Sequence, residues 1–167
     1  MKKMRARDQK WLKCFHVIFA GIWVGAGACL TLKQFFIHPT DGMALYGTTS
    51  TLKFIDDFVI IPAAVGCLLT AFIYSIWTKW GWFKHNWITV KWGINIFGVL
   101  FGSFFLGPWL NALPPLAKTQ GLAAINDATF VHNTKMLLIF GTFQAATLIF
   151  ACFLSVLKPW KKRESTT

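Results

Sequence analysis

Acidic residues and cysteine motifs are scarce in this chain. Only 6 Asp and Glu oppose 17 Lys and Arg, so the formal net charge is +11. The four cysteines show no C-x-x-C spacing, which gives no support for a structural disulfide, a zinc site or an iron–sulfur cluster. We interpret them as small apolar packing residues.

Apolar and aromatic residues are abundant instead. The chain is 55% hydrophobic and contains 17 Phe and 9 Trp. Long apolar runs with basic residues outside them favour a membrane protein. A nucleic-acid-binding protein would gather its basic residues on one face of a soluble fold. The predicted partner is therefore the lipid bilayer and not nucleic acid.

Four apolar runs reach the roughly 20 residues that cross a bilayer. They cover approximately 11–36, 54–78, 87–110 and 130–157. The first run lacks a small-residue cleavage site and continues into Lys33 and Gln34, so we expect a retained helix. The sequence predicts an all-α fold, a single four-helix transmembrane domain over 1–167. The connection 38–53 is predicted as a loop, and a short interfacial helix is expected within the last connection, which opens with a Pro pair.

The basic residues indicate an orientation. Thirteen of the 17 lie before or at the start of the first run, around the connection between the second and third runs, or after the fourth. The opposite side carries four Lys and four Asp. The positive-inside rule then places both termini in the cytoplasm. Tryptophans at the ends of the runs predict an interfacial aromatic belt, formed by Trp11, Trp77, Trp80, Trp82, Trp87, Trp109 and Trp160.

Two ionisable side chains inside the runs are candidates for a functional site. His16 lies five residues after Trp11, and Lys91 lies four residues after Trp87. Because the two helices run in opposite directions, these side chains are expected at a similar depth. Asn95 and Gly98 follow Lys91 at i+4 and i+7 and share its helix face.

Several alternatives fit these two residues. Lys91 either snorkels to the interface or meets a partner in the bundle. His16 is a hydrogen-bonded core histidine, a proton relay or a metal ligand. Within the metal reading, haem is favoured over a bare ion, since the macrocycle supplies four nitrogens and needs only one or two axial ligands.

Glycines recur at helical spacing, as Gly21 with Gly25 and Gly98 with Gly102. This pattern is typical of close helix packing, and also of a flat wall for a planar ligand. A second polar cluster lies at the predicted outer side, where His38, Asp56, Asp57 and His132 flank the helix ends. It predicts either solvated helix ends, a metal site, or a second haem between the two histidines.

The chain resembles the membrane protoporphyrinogen oxidases of the HemJ type and the related CopD-like four-helix proteins. The first helix carries Lys13, His16, Trp23, Gly25 and His38 within "WLKCFHVIFAGIWVGAG…KQFFIHP". The motif "WITVKWGIN" matches the opening of the third helix, and "LSVLKPW" matches the end of the fourth. The fourth helix begins with "VHNTKM", without the family's glutamate and proline. The resemblance therefore extends over the helices and the expected haem pocket. It is weaker at the start of the fourth helix, where the family's substrate-end residues are missing.

The resemblance implies a multi-pass protein of the bacterial inner membrane that binds haem b. His16 is then the axial ligand, Lys91 a second ligand or a propionate partner, and Trp23, Asn95 and Gly98 the surrounding wall. It also implies electron transfer with a quinone or a porphyrin substrate. The alternatives are a CopD-like metal-handling or transport protein, and a structural subunit of a homo-oligomer or membrane complex. The first would use the outer residues His38, Asp56, Asp57 and His132.

Overall fold

A computed structural model describes residues 4–78, 81 and 85–158 of the chain, and most of these residues are helical. No strand occurs in these ranges. The helices are α1 (Ala6–Phe36), α2 (Gly42–Ile55), α3 (Ile61–Trp77), α4 (Asn86–Phe101), α5 (Gly107–Asn111), α6 (Leu113–Gln120) and α7 (Ala128–Leu157). A first π-turn (Asp56–Ile60) joins α2 to α3, and a second π-turn (Gly102–Leu106) joins α4 to α5. A 3₁₀ turn (Gly121–Asn126) follows α6.

Four stretches are long and apolar enough to cross a membrane, which agrees with the predicted number. They are Ala6–Phe36, Gly42–Trp77, Asn86–Asn126 and Ala128–Leu157. The start of α1 and the end of α7 lie at the same end of the bundle, where Lys13 and Lys158 line one cavity. We name this the basal end and the opposite one the distal end. That the basal end faces the cytoplasm stays a prediction.

The predicted loop 38–53 is wrong, because α2 begins at Gly42 and continues into the second span. Asp41 caps α2 through its side chain, which accepts a 2.8 Å hydrogen bond from the backbone N–H of Ala44. The helix then packs against α6 in a core cluster that includes Leu45, Leu52 and Leu113. As a result Asp56 and Asp57 lie inside a continuous helical stretch and not at its start.

Both π-turns have the same local cause. Each one ends two residues before a proline, Pro62 in α3 and Pro108 in α5. A proline ring collides with the carbonyl one turn earlier and donates no hydrogen bond. The wider turn, in which the N–H of Ile61 donates to the Asp56 carbonyl, accommodates that collision. A similar bond joins Gly107 to Gly102.

The short helix predicted in the last connection is present as α6, which includes the Pro pair. Its interfacial position stays a prediction. Asp127 caps α7 by accepting hydrogen bonds from the backbone N–H groups of Thr129 and Phe130. The Gln120 side chain also donates to this carboxylate, and these bonds hold the pKa of Asp127 below its usual value.

Large apolar side chains cover the outside of the bundle. Phe36 is 77% exposed, Met43 82% and Val156 79%. Such a surface suits contact with lipid and would be unfavourable in water. Small and aromatic residues pack the interior between the spans: Trp23, Ala63, Ala64, Cys67 and Leu148.

Several residues used to predict the orientation and the aromatic belt lie outside the described part of the chain. They are Lys2, Lys3, Lys79, Trp80, Trp82, Lys84, Trp160, Lys161, Lys162 and Arg163. Of the other belt residues, Trp11 is 62% exposed near the start of α1. The belt therefore stays a prediction.

Candidate functional site

His16 on α1 is hydrogen-bonded to Thr70 on α3. Its Nδ1 lies 2.9 Å from the Thr70 hydroxyl oxygen. That hydroxyl also lies 2.7 Å from the carbonyl oxygen of Gly66 and 2.9 Å from that of Cys67. Carbonyl oxygens only accept, so the single threonine proton points to them and the hydroxyl oxygen accepts from His16.

This arrangement selects one form of the neutral imidazole. The proton lies on Nδ1, and Nε2 keeps its lone pair. A histidine held in this way is prepared either to bind a metal or to accept a proton through Nε2.

The close approach of α1 and α3 allows this bond. A Cβ on Gly66 would lie 2.7 Å from the ring of Phe19, so only a glycine leaves space for that ring without a shift. Cys67 lies one residue further along α3, with its Sγ 3.9 Å from His16 Nδ1. Small residues on α3 therefore bring the histidine within reach of Thr70.

Lys91 on α4 is held by α7. Its Nζ donates a 2.5 Å hydrogen bond to the Ser155 hydroxyl, which donates to the Ala151 carbonyl at 2.9 Å. None of the described residues that line the surrounding cavity is acidic. The ammonium group therefore has a hydrogen-bond partner but no carboxylate beside it in this cavity.

His16 and Lys91 line the same cavity, which we name the basal cavity. Its volume is about 480 Å³, within the range of cavities that hold small-molecule ligands and cofactors. Trp23 and Asn95 also line it, and that they contact a cofactor stays a prediction. Lys13 and Lys158 lie in its wall, so its charged side chains are cationic.

A second cavity, the distal cavity, has a volume of about 360 Å³. Both π-turns contribute to its wall, through Asp56, Asp57 and Gly102 among others. Gly98 lines this cavity and not the basal one. Trp23 and Leu148 line both, so the two cavities are neighbours along the bundle.

The predicted outer cluster is only partly brought together. Asp56 and Asp57 line the distal cavity, whereas His38 and His132 are exposed and line neither cavity. Within the described ranges, no group of three or more His, Cys, Asp or Glu side chains could hold a metal ion.

Three polar residues were missed from the sequence: Ser155, which lines the basal cavity, Gln144, which lines the distal one, and Thr70, which lines neither. Thr70 orients His16, Ser155 holds Lys91, and Gln144 lines the distal cavity. Each is a polar side chain inside a long apolar run. A survey of such residues, extended beyond the ionisable ones, would have found them.

Comparison with protein-family models finds no matching family, and comparisons with curated proteins and with solved structures find no match either.

Proposed function

We propose that the basal cavity binds a b-type haem and that the protein is a redox protein of the membrane. The observation that supports this most is the state of His16. Its Nδ1–H donates to Thr70, which leaves the Nε2 lone pair for a metal. This histidine lines a largely apolar cavity of about 480 Å³.

The donor set suits haem better than a bare ion. Among the described residues around the cavity, His16 is accompanied by no carboxylate that could complete a small-ion site. A porphyrin brings four nitrogens of its own, so one histidine from the protein is enough. Trp23 and Asn95 would form part of the wall around the macrocycle.

Lys91 suits the carboxylates of haem better than its iron. As an axial ligand it would have to lose a proton, whereas the bond that it donates to Ser155 is compatible with the charged ammonium. As a cation it pairs with a propionate and gains the counter-charge that the cavity wall does not supply. Lys13 and Lys158 add positive charge at the same end.

When bound, haem supplies one-electron redox chemistry, and its ligand and burial set its potential. The chain's own residues fix the imidazole, neutralise the propionates and exclude water. The likeness to HemJ-type proteins suggests a quinone or a porphyrin as the electron partner. The surplus of Lys and Arg near the termini suggests the bacterial inner membrane, with both termini inside.

The test compares two histidine variants of the detergent-purified protein. We expect His16→Ala to lose most of its bound haem, measured as pyridine haemochrome per chain. His85→Ala should keep it, because His85 lines neither cavity. Full haem occupancy with an unchanged spectrum in His16→Ala would show that the ligand is wrongly assigned.

A further inference from the structure

Two glutamines that line the distal cavity each have a buried amide oxygen that lacks a hydrogen-bond donor. The Oε1 atoms of Gln34 on α1 and of Gln144 on α7 are buried, and neither has a hydrogen-bond partner in the described part of the chain. Both residues line the distal cavity. Leaving such an acceptor unpaired is costly, so each one points to a ligand or a water that donates to it.

The charges of this cavity call for the same kind of ligand. Asp56 lines the cavity and forms no ion pair with any described residue. Asp57 is already paired with Lys53 at 2.7 Å, and Lys53 also donates to Asn111 at 2.8 Å. No Lys, Arg or His among the described residues lines this cavity. It therefore suits a ligand that donates hydrogen bonds, and not an anion.

The shape of the cavity favours a flat ligand over an ion. Its volume of about 360 Å³ is far larger than the roughly 30 Å³ that one water occupies in the liquid. Glycines from three helical elements form parts of its wall: Gly27, Gly102 and Gly141. A Cβ on Gly27 or Gly141 would have no atom within 4 Å. The Gln144 amide lies against the same wall, with Nε2 3.7 Å from the position of a Cβ on Gly102.

We propose that the distal cavity is a second ligand site, which binds the head of a membrane hydroquinone. Such a head is planar and carries two hydroxyl donors, and its apolar tail suits the lipid around the bundle. Its two hydroxyls donate one hydrogen bond each to the two unpaired amide oxygens, those of Gln34 and Gln144. The proposal concerns binding, so it stands or falls separately from haem in the basal cavity.

The test measures binding of a radiolabelled decyl-hydroquinone, kept reduced, to the full chain in phosphatidylcholine nanodiscs, with empty nanodiscs as background. The dimethyl ether of the same compound has the same ring and tail but no hydroxyl donors. We expect saturable binding of the hydroquinone and affinity about tenfold lower for the ether, the loss typical of missing hydrogen bonds. Equal affinities, or no saturable binding, would overturn the proposal.

Paired variants locate the site. Gly27→Leu fills the distal cavity and should abolish binding. Gly25→Leu is its control, because Gly25 lies on the same helix, lines neither cavity and also has no atom within 4 Å of a Cβ. Equal binding by the two variants would place the ligand elsewhere and overturn the assignment.

A third variant separates a ligand from a buried water. Gln144→Leu removes one unpaired acceptor and is expected to fold at least as stably as the parent. We expect it to bind the hydroquinone about tenfold more weakly. Unchanged affinity would mean that a water serves this oxygen, which contradicts the proposal. This variant also decides the matter if Gly27→Leu does not fold.

Discussion

At the scale of single residues, the state of His16 depends on one threonine, Thr70. The Thr70 hydroxyl accepts from His16 Nδ1 while it donates to the backbone of its own helix. This bond fixes both the tautomer and the orientation of the ring. When a residue hydrogen-bonds to a metal ligand in this way, removing it commonly lowers metal affinity about 10- to 100-fold.

Thr70→Val tests this role. The variant keeps the shape of the side chain but leaves Nδ1–H without an acceptor, so we expect haem affinity to fall about 10- to 100-fold. Haem titration of the apoprotein measures it. Thr70→Ser, which restores the hydroxyl, is the control and should return the affinity to near that of the parent. Parental affinity in Thr70→Val would mean that the bond does not orient a ligand.

The sequence predicted the depth of the site residues better than their partners. Counting along opposed helices brought His16 and Lys91 to one level, and both line the basal cavity. The bonds to Thr70 and Ser155 depend on how each helix is rotated about its axis. In a lipid-facing bundle apolar residues surround each helix, so the hydrophobic pattern gives little information on that rotation.

At the scale of elements, the contact between α2 and the 3₁₀ turn holds the distal end together. A Cβ on Gly42 would lie 2.9 Å from the Cα of Gly121 and 3.2 Å from the backbone nitrogen of Leu122. Gly121 itself has a φ of 59°, which favours glycine. Two backbones therefore approach as closely as they do because neither residue has a side chain.

Gly42→Ala and Gly47→Ala form a matched pair on α2. Gly42→Ala should lower the free energy of unfolding by about 1–3 kcal/mol, because backbone atoms must move apart. Gly47→Ala has no atom within 4 Å of its new Cβ and should raise that free energy by about 0.5–1 kcal/mol through helix propensity. Thermal unfolding in detergent compares them. A Gly42→Ala protein as stable as Gly47→Ala would refute the close contact.

The boundaries of these elements were harder to predict than the number of membrane spans. The Gly- and Thr-rich segment 38–53 looked like a loop, yet most of it is helix α2. Packing against α6 and the Asp41 cap compensate for its weak propensity. Pro62 and Pro108 indicate a disturbance of the helix near each π-turn. A proline alone, however, does not distinguish a widened turn from a kink.

At the scale of the whole molecule, the two cavities carry opposite charge. Three lysines line the basal cavity, whereas two aspartates line the distal one. Trp23 and Leu148 belong to both walls. On our proposals, an anionic macrocycle and a hydroxyl-bearing ring would occupy neighbouring sites in one bundle.

The orientation of the bundle is testable in cells. We expect a green fluorescent protein fused after residue 167 to fluoresce, because the positive-inside rule places that end in the cytoplasm. Alkaline phosphatase fused after residue 40, between α1 and α2, should be active outside. The reverse pattern would contradict the orientation and place the basal cavity toward the outer face.

The most direct test of the central claim is the ultraviolet–visible spectrum of the purified protein, expressed with haem available. It is recorded oxidised and then after reduction with dithionite. We predict a Soret band that shifts on reduction, together with α and β bands of a b-type haem. A colourless protein would contradict the assignment of the basal cavity to haem.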